Sequence, residues 1–532
     1  MFLDPISRSR VLQMLLGVFF LALATNAEAQ SKDPNRSQAS VHHRKGLALY
    51  RAKDPAGALR ELQRSVEIDP SFVEAWNDLG VIQRKEGALT QAISSFGKAI
   101  AINPSYTSAI YNRALAYEAQ DNLPLATRQV RRVIELNPAL AQAHFLYGRL
   151  LARQNQLDQA RKELQEALRR DSSLLPARLV LGSVLLRQGY INEAITEIHQ
   201  CLVEDPRSAE AHFQLGLALV QQGSDAEARG SFTRAVELRP DYTEARVNLG
   251  QLWEAGGKTQ QAIEEYHKAL ELSPANEEVQ LRLARTLVKS EVLGEAEELL
   301  ARGLRQHPKN ADFHFERGKL YTKMGNLAKA RDEIEAAIGL RPQSVEFYLE
   351  LSRVLHEMDR LQEEKAALEK VIRLEPNSGE AHYALAQLAK RQGDSVVSKM
   401  ELEQTRRVRE ADTKRDLALG AVRSGVVLAQ KGDYDGAIVA FRKALALNPE
   451  LGEAHFNLAG ALLQKGEIEG AVETFPAALK LAPHWPEAHY QYGRALWLAN
   501  RKAEAIAEFR TALQQNPNHA EAKRALKELK AK

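Results

Sequence analysis

The chain is predicted to fold as an all-α solenoid of about fourteen helix-turn-helix repeats, and three observations predict it. Prolines recur at a fixed stride: Pro70, Pro104 and Pro138, then Pro206, Pro240, Pro274, Pro308, Pro342 and Pro376, each 34 residues or twice that from the last. With Val73 taken as position 1 of one repeat, position 8 is small in all fourteen repeats: Gly, Ala or, once, Ser352. Position 15 is Gly, Asn or Asp in twelve of them. A period of this length means one supersecondary unit copied many times, each copy burying its apolar face against its neighbours.

Before the repeats, residues 1–29 read as a signal peptide: Arg8 and Arg10 precede the apolar run Val11 to Ala24, and Ala27, Glu28 and Ala29 offer a cleavage site. The run is 14 residues long, short of the roughly 20 a spanning helix needs. Cleavage would place the protein in a periplasm or outside the cell, whereas an uncleaved segment would anchor it to a membrane. Residues 30–38 are polar and aperiodic and are expected to be a disordered leader.

Within a repeat, positions 4, 7, 8 and 11 lie three or four apart and share one face of a first helix, while positions 20, 24 and 27 do so on a second. The small residue at position 8 and the Ala found at position 20 in twelve repeats imply close helix crossing. Position 15 reads as the cap where the first helix stops, since Gly, Asn and Asp best tolerate the left-handed region. The proline at position 32 stops the second helix.

Trp76, Leu79, Gly80, Ala92, Phe96 and Ala99 stand at positions 4, 7, 8, 20, 24 and 27. In this the repeat resembles the tetratricopeptide repeat. That resemblance implies a right-handed superhelix with each first helix on the concave side. Repeats 1–11 are assigned to residues 39–412, repeats 12–14 to 418–519, and a capping helix to 520–532. The five extra residues 413–417 read as a joint between two arrays. Glu364 at position 20 of repeat 10 departs from the pattern, and so does Pro476, which is expected to bend its helix.

With 72 basic and 69 acidic residues the chain carries +3, so no global field points to nucleic acid. Seven of the 14 histidines fall at position 4. Equivalent positions of stacked repeats are spread along an array, whereas metal ligands must converge on one ion, so a structural role is expected. The single cysteine, Cys201, replaces the usual Ala at position 27 and reads as a buried thiol. No phosphate-binding glycine loop, nucleophile elbow or paired metal-binding cysteines occur. The chain is therefore expected to be noncatalytic, with no cofactor, metal or small-molecule substrate.

The expected function is a protein-interaction scaffold that holds a polypeptide segment in the concave groove. Apolar anchors are predicted at position 5: Tyr111, Phe145, Phe213, Phe315, Tyr383, Phe456 and Tyr490. Amides that could hold a peptide backbone stand at position 6: Asn112, Gln214, Asn248, Asn457 and Gln491. Some superhelical members of the family, notably the sugar-transferase type, carry an Asn ladder there; here Leu146, Val180, Arg282, Glu316 and Glu350 interrupt it. Position 9 adds Arg149, Arg285, Lys319, Arg353 and Arg494, and the run Arg285, Lys319, Arg353 predicts an acidic partner. Two alternatives stand beside this reading: an assembly component of a bacterial envelope or export complex, and a sugar-transferase-like or carbohydrate-handling protein.

Overall fold

Every repeat reverses direction at position 15. All fourteen residues there have positive φ, from Lys53 at 63° to Asn500 at 61°, and no other described residue does. At the next position the backbone N–H donates back to the position-11 carbonyl, from Asp54 to Leu49 at 2.9 Å in repeat 1 and from Arg501 to Leu496 at 2.8 Å in repeat 14. This loop-back bond closes a helix that ends in a left-handed cap. Glycine adopts that backbone freely, whereas Lys53 and Glu291 adopt it against the clash between Cβ and carbonyl.

The computed structural model describes residues 34–516 and 519–531, so the expected signal at 1–29 and the first part of the leader lie outside the described residues. Among those described there are 28 helices and no strand, paired as successive hairpins. The chain divides into two compact bodies, the first ending at Leu299 and the second beginning at Leu300.

In the first body the hairpin seam forms where position 8 meets position 24. A Cβ placed on Gly80 would lie 2.6 Å from Phe96, one on Gly216 2.6 Å from Phe232, and one on Gly250 2.6 Å from Tyr266. The missing side chain is therefore the space the ring occupies. Where position 8 is Ala114, the fully buried partner at position 24 is the smaller Val130. The stack also starts earlier than expected, because helix Pro34–Arg51 takes in residues 34–38 of the presumed leader. Pro34 needs no N–H partner at a first helical position. Arg36 pairs with Asp69 at 2.9 Å and lies 3.7 Å above the Phe72 ring.

The second body repeats the seam at Gly318 with Ile334, Gly425 with Phe441 and Gly493 with Phe509, each 2.6 Å from an added Cβ. It also shows how one repeat sits on the next. Gly303 at position 27 makes room for Phe313 at position 3 of the following repeat. Phe475 at position 24 packs 5.8 Å from the Tyr492 ring at position 7 of the following repeat. Positions 3 and 7 of a first helix thus rest on positions 27 and 24 of the second helix before it. Glu364 is buried in the seam, where His356 at 3.0 Å and the Arg391 guanidinium at 3.7 Å meet its carboxylate. Helix Ile468–Leu481 runs on through Pro476, whose ring is on the exposed side.

The joint is different from expectation. Residues 413–417 are not a linker: Ser395–Gln430 is one helix of 36 residues that fuses the second helix of repeat 11 to the first helix of repeat 12. No proline or glycine occurs from Ser395 to Leu419, so nothing stops the ladder. At the end of the chain, Ala522, Ala525 and Leu529 of helix Ala520–Ala531 join the buried cluster that contains Phe509. No described helix is long and apolar enough to cross a membrane.

Candidate interaction surface

The position-4 column is a structural stitch. His144 Nδ1 meets Glu163 at 2.7 Å in its own second helix, and its Nε2 meets the Pro138 carbonyl at 3.1 Å in the preceding turn. His314 repeats this with Glu333 and Pro308, His382 with Glu401 and Pro376, and His489 with Glu508 and Pro483. A carbonyl only accepts, so Nε2 is the donor there. Arg246 makes the same pair of contacts, to Glu265 and Pro240. In these repeats the position-4 side chain ties the first helix to its own second helix and to the preceding turn. Among the described residues no three His, Cys, Asp or Glu side chains gather as a metal site.

Cys201 is buried beside the Leu175 carbonyl at 3.8 Å, and burial pushes its thiol up to about 12. It carries almost no thiolate near neutral pH and so has little nucleophilic power.

Most of the predicted position-5 anchors lie inside the hairpins. Tyr111, Phe145, Phe213 and Phe315 are buried, and burial pushes the Tyr111 hydroxyl up to about 12. Phe213 packs 5.7 Å from Phe232 and 4.8 Å from Tyr242. The reason is angular: position 5 lies three residues from position 8 and shares its face toward the second helix. Phe456 is half-buried between Phe475 and Trp485, and Tyr490 between Phe509 and His519. Only Tyr383 of this set is exposed, at 44%.

The position-6 amides do not form a ladder. Asn112 is buried and donates to Asn77 at 3.0 Å, Asn77 donates to Asp78 at 3.1 Å, and Asp78 meets His43 at 2.8 Å. This network links three repeats. Asn248 donates back to the Glu244 carbonyl at 2.8 Å, while Gln214 and Asn457 are half-buried.

At position 9 the cations are largely engaged. Arg149 is buried, pairs with Glu118 and lies 5.3 Å above the Phe145 ring. Lys319 is held by Glu316 at 3.3 Å, and Arg353 by Glu350 at 2.9 Å and by Glu380. An acidic ligand at these two residues would have to displace carboxylates already in place. Arg494 donates to Gln491 at 2.8 Å, and Arg285 is on the exposed surface of the first body.

Position 9 also carries apolar side chains that the aromatic and cationic residues named above do not include. Leu47, Val81, Leu115 and Leu217, all at position 9 in the first body, are half-buried. The signal in the sequence is an apolar residue recurring one step beyond the seam column, beside more conspicuous aromatic and charged occupants.

Comparison with known proteins agrees with this repeat. Tetratricopeptide-repeat profiles match residues 43–107, 111–174, 179–243 and 226–277; others of the same description match 254–320 and 428–477, 311–344 and 345–378, and 486–519. No curated protein matches the chain. Three solved structures are among those it matches. A tetratricopeptide repeat protein from Parabacteroides merdae is 18% identical with a TM-score of 0.41, over 47% of this chain and 99% of its own. The Cut9–Hcn1 hetero-tetramer of the APC/C is 15% identical with a TM-score of 0.37, over 92% of this chain and 96% of that one. YrrB, described as having an unusual peptide-binding site, is 24% identical with a TM-score of 0.29, over 34% of this chain and 94% of its own. Because the matched segments span well over half the sequence and share one repeat type, the chain belongs to the tetratricopeptide-repeat family.

Proposed function

We propose that this chain is a noncatalytic scaffold that holds a polypeptide segment along the first-helix faces of its repeats. The tetratricopeptide fold generally mediates protein–protein interaction. The observation that carries the reading is a set of half-buried apolar side chains at position 9, Leu47, Val81 and Leu115 in three successive repeats and Leu217 in the sixth, with Arg149 and Ser183 between them. Such a set gains by covering apolar surface at roughly 25 cal/mol per Å², largely irrespective of the ligand's sequence. The groups capable of chemistry support the noncatalytic part, since the position-4 histidines are engaged in hydrogen bonds and the Cys201 thiol is protonated. Residues 1–29 support a periplasmic or secreted location, and the intact mass of the purified native protein tests their removal.

The experiment is photo-crosslinking of the full chain in extract from its own cell envelope, with benzoylphenylalanine at Leu115 or Leu217. Val203, exposed on a second helix, serves as the control. Polypeptide adducts at Leu115 and Leu217 but not at Val203 are expected. Equal labelling at all three sites would sink the proposal.

A further inference from the structure

Position 24 is sealed in every repeat but one. In thirteen repeats its side chain is at most 1% exposed, including Phe509 of the last repeat, whereas Leu402 of repeat 11 is 42% exposed. Elsewhere position 8 of the same repeat meets this side chain, as Gly80 meets Phe96, and position 7 of the next first helix packs on it, as Tyr492 packs on Phe475. In repeat 11 that cover is missing because Ser395–Gln430 continues straight on, and Asp412 stands mid-helix where the turn would be. Between Ala389 and Ala418 the only buried residues are Ser398 and Thr405.

The result is an open groove of about 440 Å³ whose lining includes Tyr383, Leu402, Thr405, Arg406, Arg409 and Lys414. Arg406 pairs with Glu403 at 3.2 Å and with Glu410, also in the lining, at 3.6 Å. Arg409 lies 5.8 Å from the Tyr383 ring, and neither it nor Lys414 forms an ion pair with a carboxylate among the described residues. The groove therefore offers an apolar floor with uncompensated positive charge along one wall.

We infer that this groove is a docking site for an amphipathic helix of a partner protein, seated as the missing first helix would be. The chain itself specifies the fit. Its own first helices present Ala at position 3 in nine repeats and Leu at position 7 in eight, four residues apart on one face. The partner helix carries that small-then-large pair against Thr405 and Leu402, and acidic residues on the flank toward Arg409 and Lys414. This site is separate from the first-helix faces of the first body and does not depend on them.

The probe is a fluorescent, end-capped peptide copying residues 208–223, which contains Ala211 and Leu215, and a second version with Gln221→Glu and Gln222→Glu. Anisotropy on the full chain is expected to show saturable binding, at least tenfold weaker with Leu402→Asp in the protein or Leu215→Asp in the peptide. The glutamate version is expected to bind more tightly at low salt and to lose that advantage with Arg409→Glu and Lys414→Glu. Leu402 is already solvent-accessible, so the variant should keep wild-type helical circular dichroism. Absence of saturable binding, or binding indifferent to Leu402→Asp in a folded variant, overturns the proposal. A concentration-dependent dimer abolished by Leu402→Asp would assign the groove to a second copy of the chain and overturn the partner assignment.

Discussion

Two glycines of repeat 6 should respond differently to the same added methyl group. A Cβ on Gly216 would lie 2.6 Å from Phe232 Cε1, 2.7 Å from Cδ1 and 2.8 Å from Cζ, so the ring must retreat by about 1 Å to reach ordinary carbon contact at ~3.5–4.0 Å. A Cβ on Gly230, in the second helix of the same repeat, would meet nothing within 4 Å. Both Gly→Ala changes gain about 1 kcal/mol of helix propensity. Gly216→Ala alone also carries an overpacking cost of ~1–3 kcal/mol. The two variants should therefore differ by about 1–3 kcal/mol in local stability, the Gly230→Ala protein being the more stable. Repeat 13 pairs Ala459 with Phe475, which shows that the seam can open somewhat and favours the lower part of that range. Long repeat arrays do not unfold as one two-state unit, so the assay is hydrogen exchange by mass spectrometry on residues 209–238 of the full chain. Exchange should be about fivefold slower in Gly230→Ala, and at least fivefold faster in Gly216→Ala than in Gly230→Ala. Adding Phe232→Val to Gly216→Ala recreates the Ala114 and Val130 pair of repeat 3 and should lose less than the two single changes summed. If both glycines respond alike, close approach is not why position 8 is small.

The remaining expectations follow from the same geometry. Glu291→Gly and Lys53→Gly should each stabilise their repeat by about 1 kcal/mol, because their φ values of 62° and 63° strain a side chain and not a glycine; local hydrogen exchange reads it, and faster exchange would contradict it. Cys201 should resist iodoacetamide in the folded chain at pH 8 and react fully in denaturant; rapid native labelling would contradict the burial that holds its thiol near 12. Lys45, and after it His42, hold the Glu61 carboxylate down at about 2 against an ordinary 4.5. A depressed carboxylate stabilises the fold above the unfolded-state value and loses that contribution as pH falls toward 2, so protection of residues 39–68 should decline between pH 4.5 and 2. Glu61→Gln should flatten that decline, and an unchanged slope would refute the assignment.

The repeat grammar could be read directly because each column has a single physical demand. Position 15 must accept a left-handed backbone, and all fourteen residues there do, even Lys53 and Glu291, which no propensity would have chosen. Position 8 must accept the side chain at position 24. Surface residues were harder to read, since a first helix in a stack is packed on more than one side and leaves a narrow free stripe. Tyr111, Phe145, Phe213 and Phe315 look like groove anchors by type yet belong to the hairpin interior by angle. Lys319 and Arg353 look like free cations by column, but their carboxylate partners come from the same turn and from the next repeat. The fused helix was legible in principle: 25 consecutive residues from Ser395 to Leu419 lack glycine and proline, although a strict 34-residue frame invited a break there.

Spin labels at Val396→Cys and Val427→Cys in a Cys201→Ala background test the interrupted stack most directly. The two positions are 31 residues apart in one helix, which at 1.5 Å per residue places their backbones about 46 Å apart. Pulsed electron–electron resonance should return one narrow distance distribution near that value, with label linkers adding a few ångströms. A broad distribution, or a peak shorter by 10 Å or more, would mean that repeats 11 and 12 turn and pack like the others and that the groove beside Leu402 is closed.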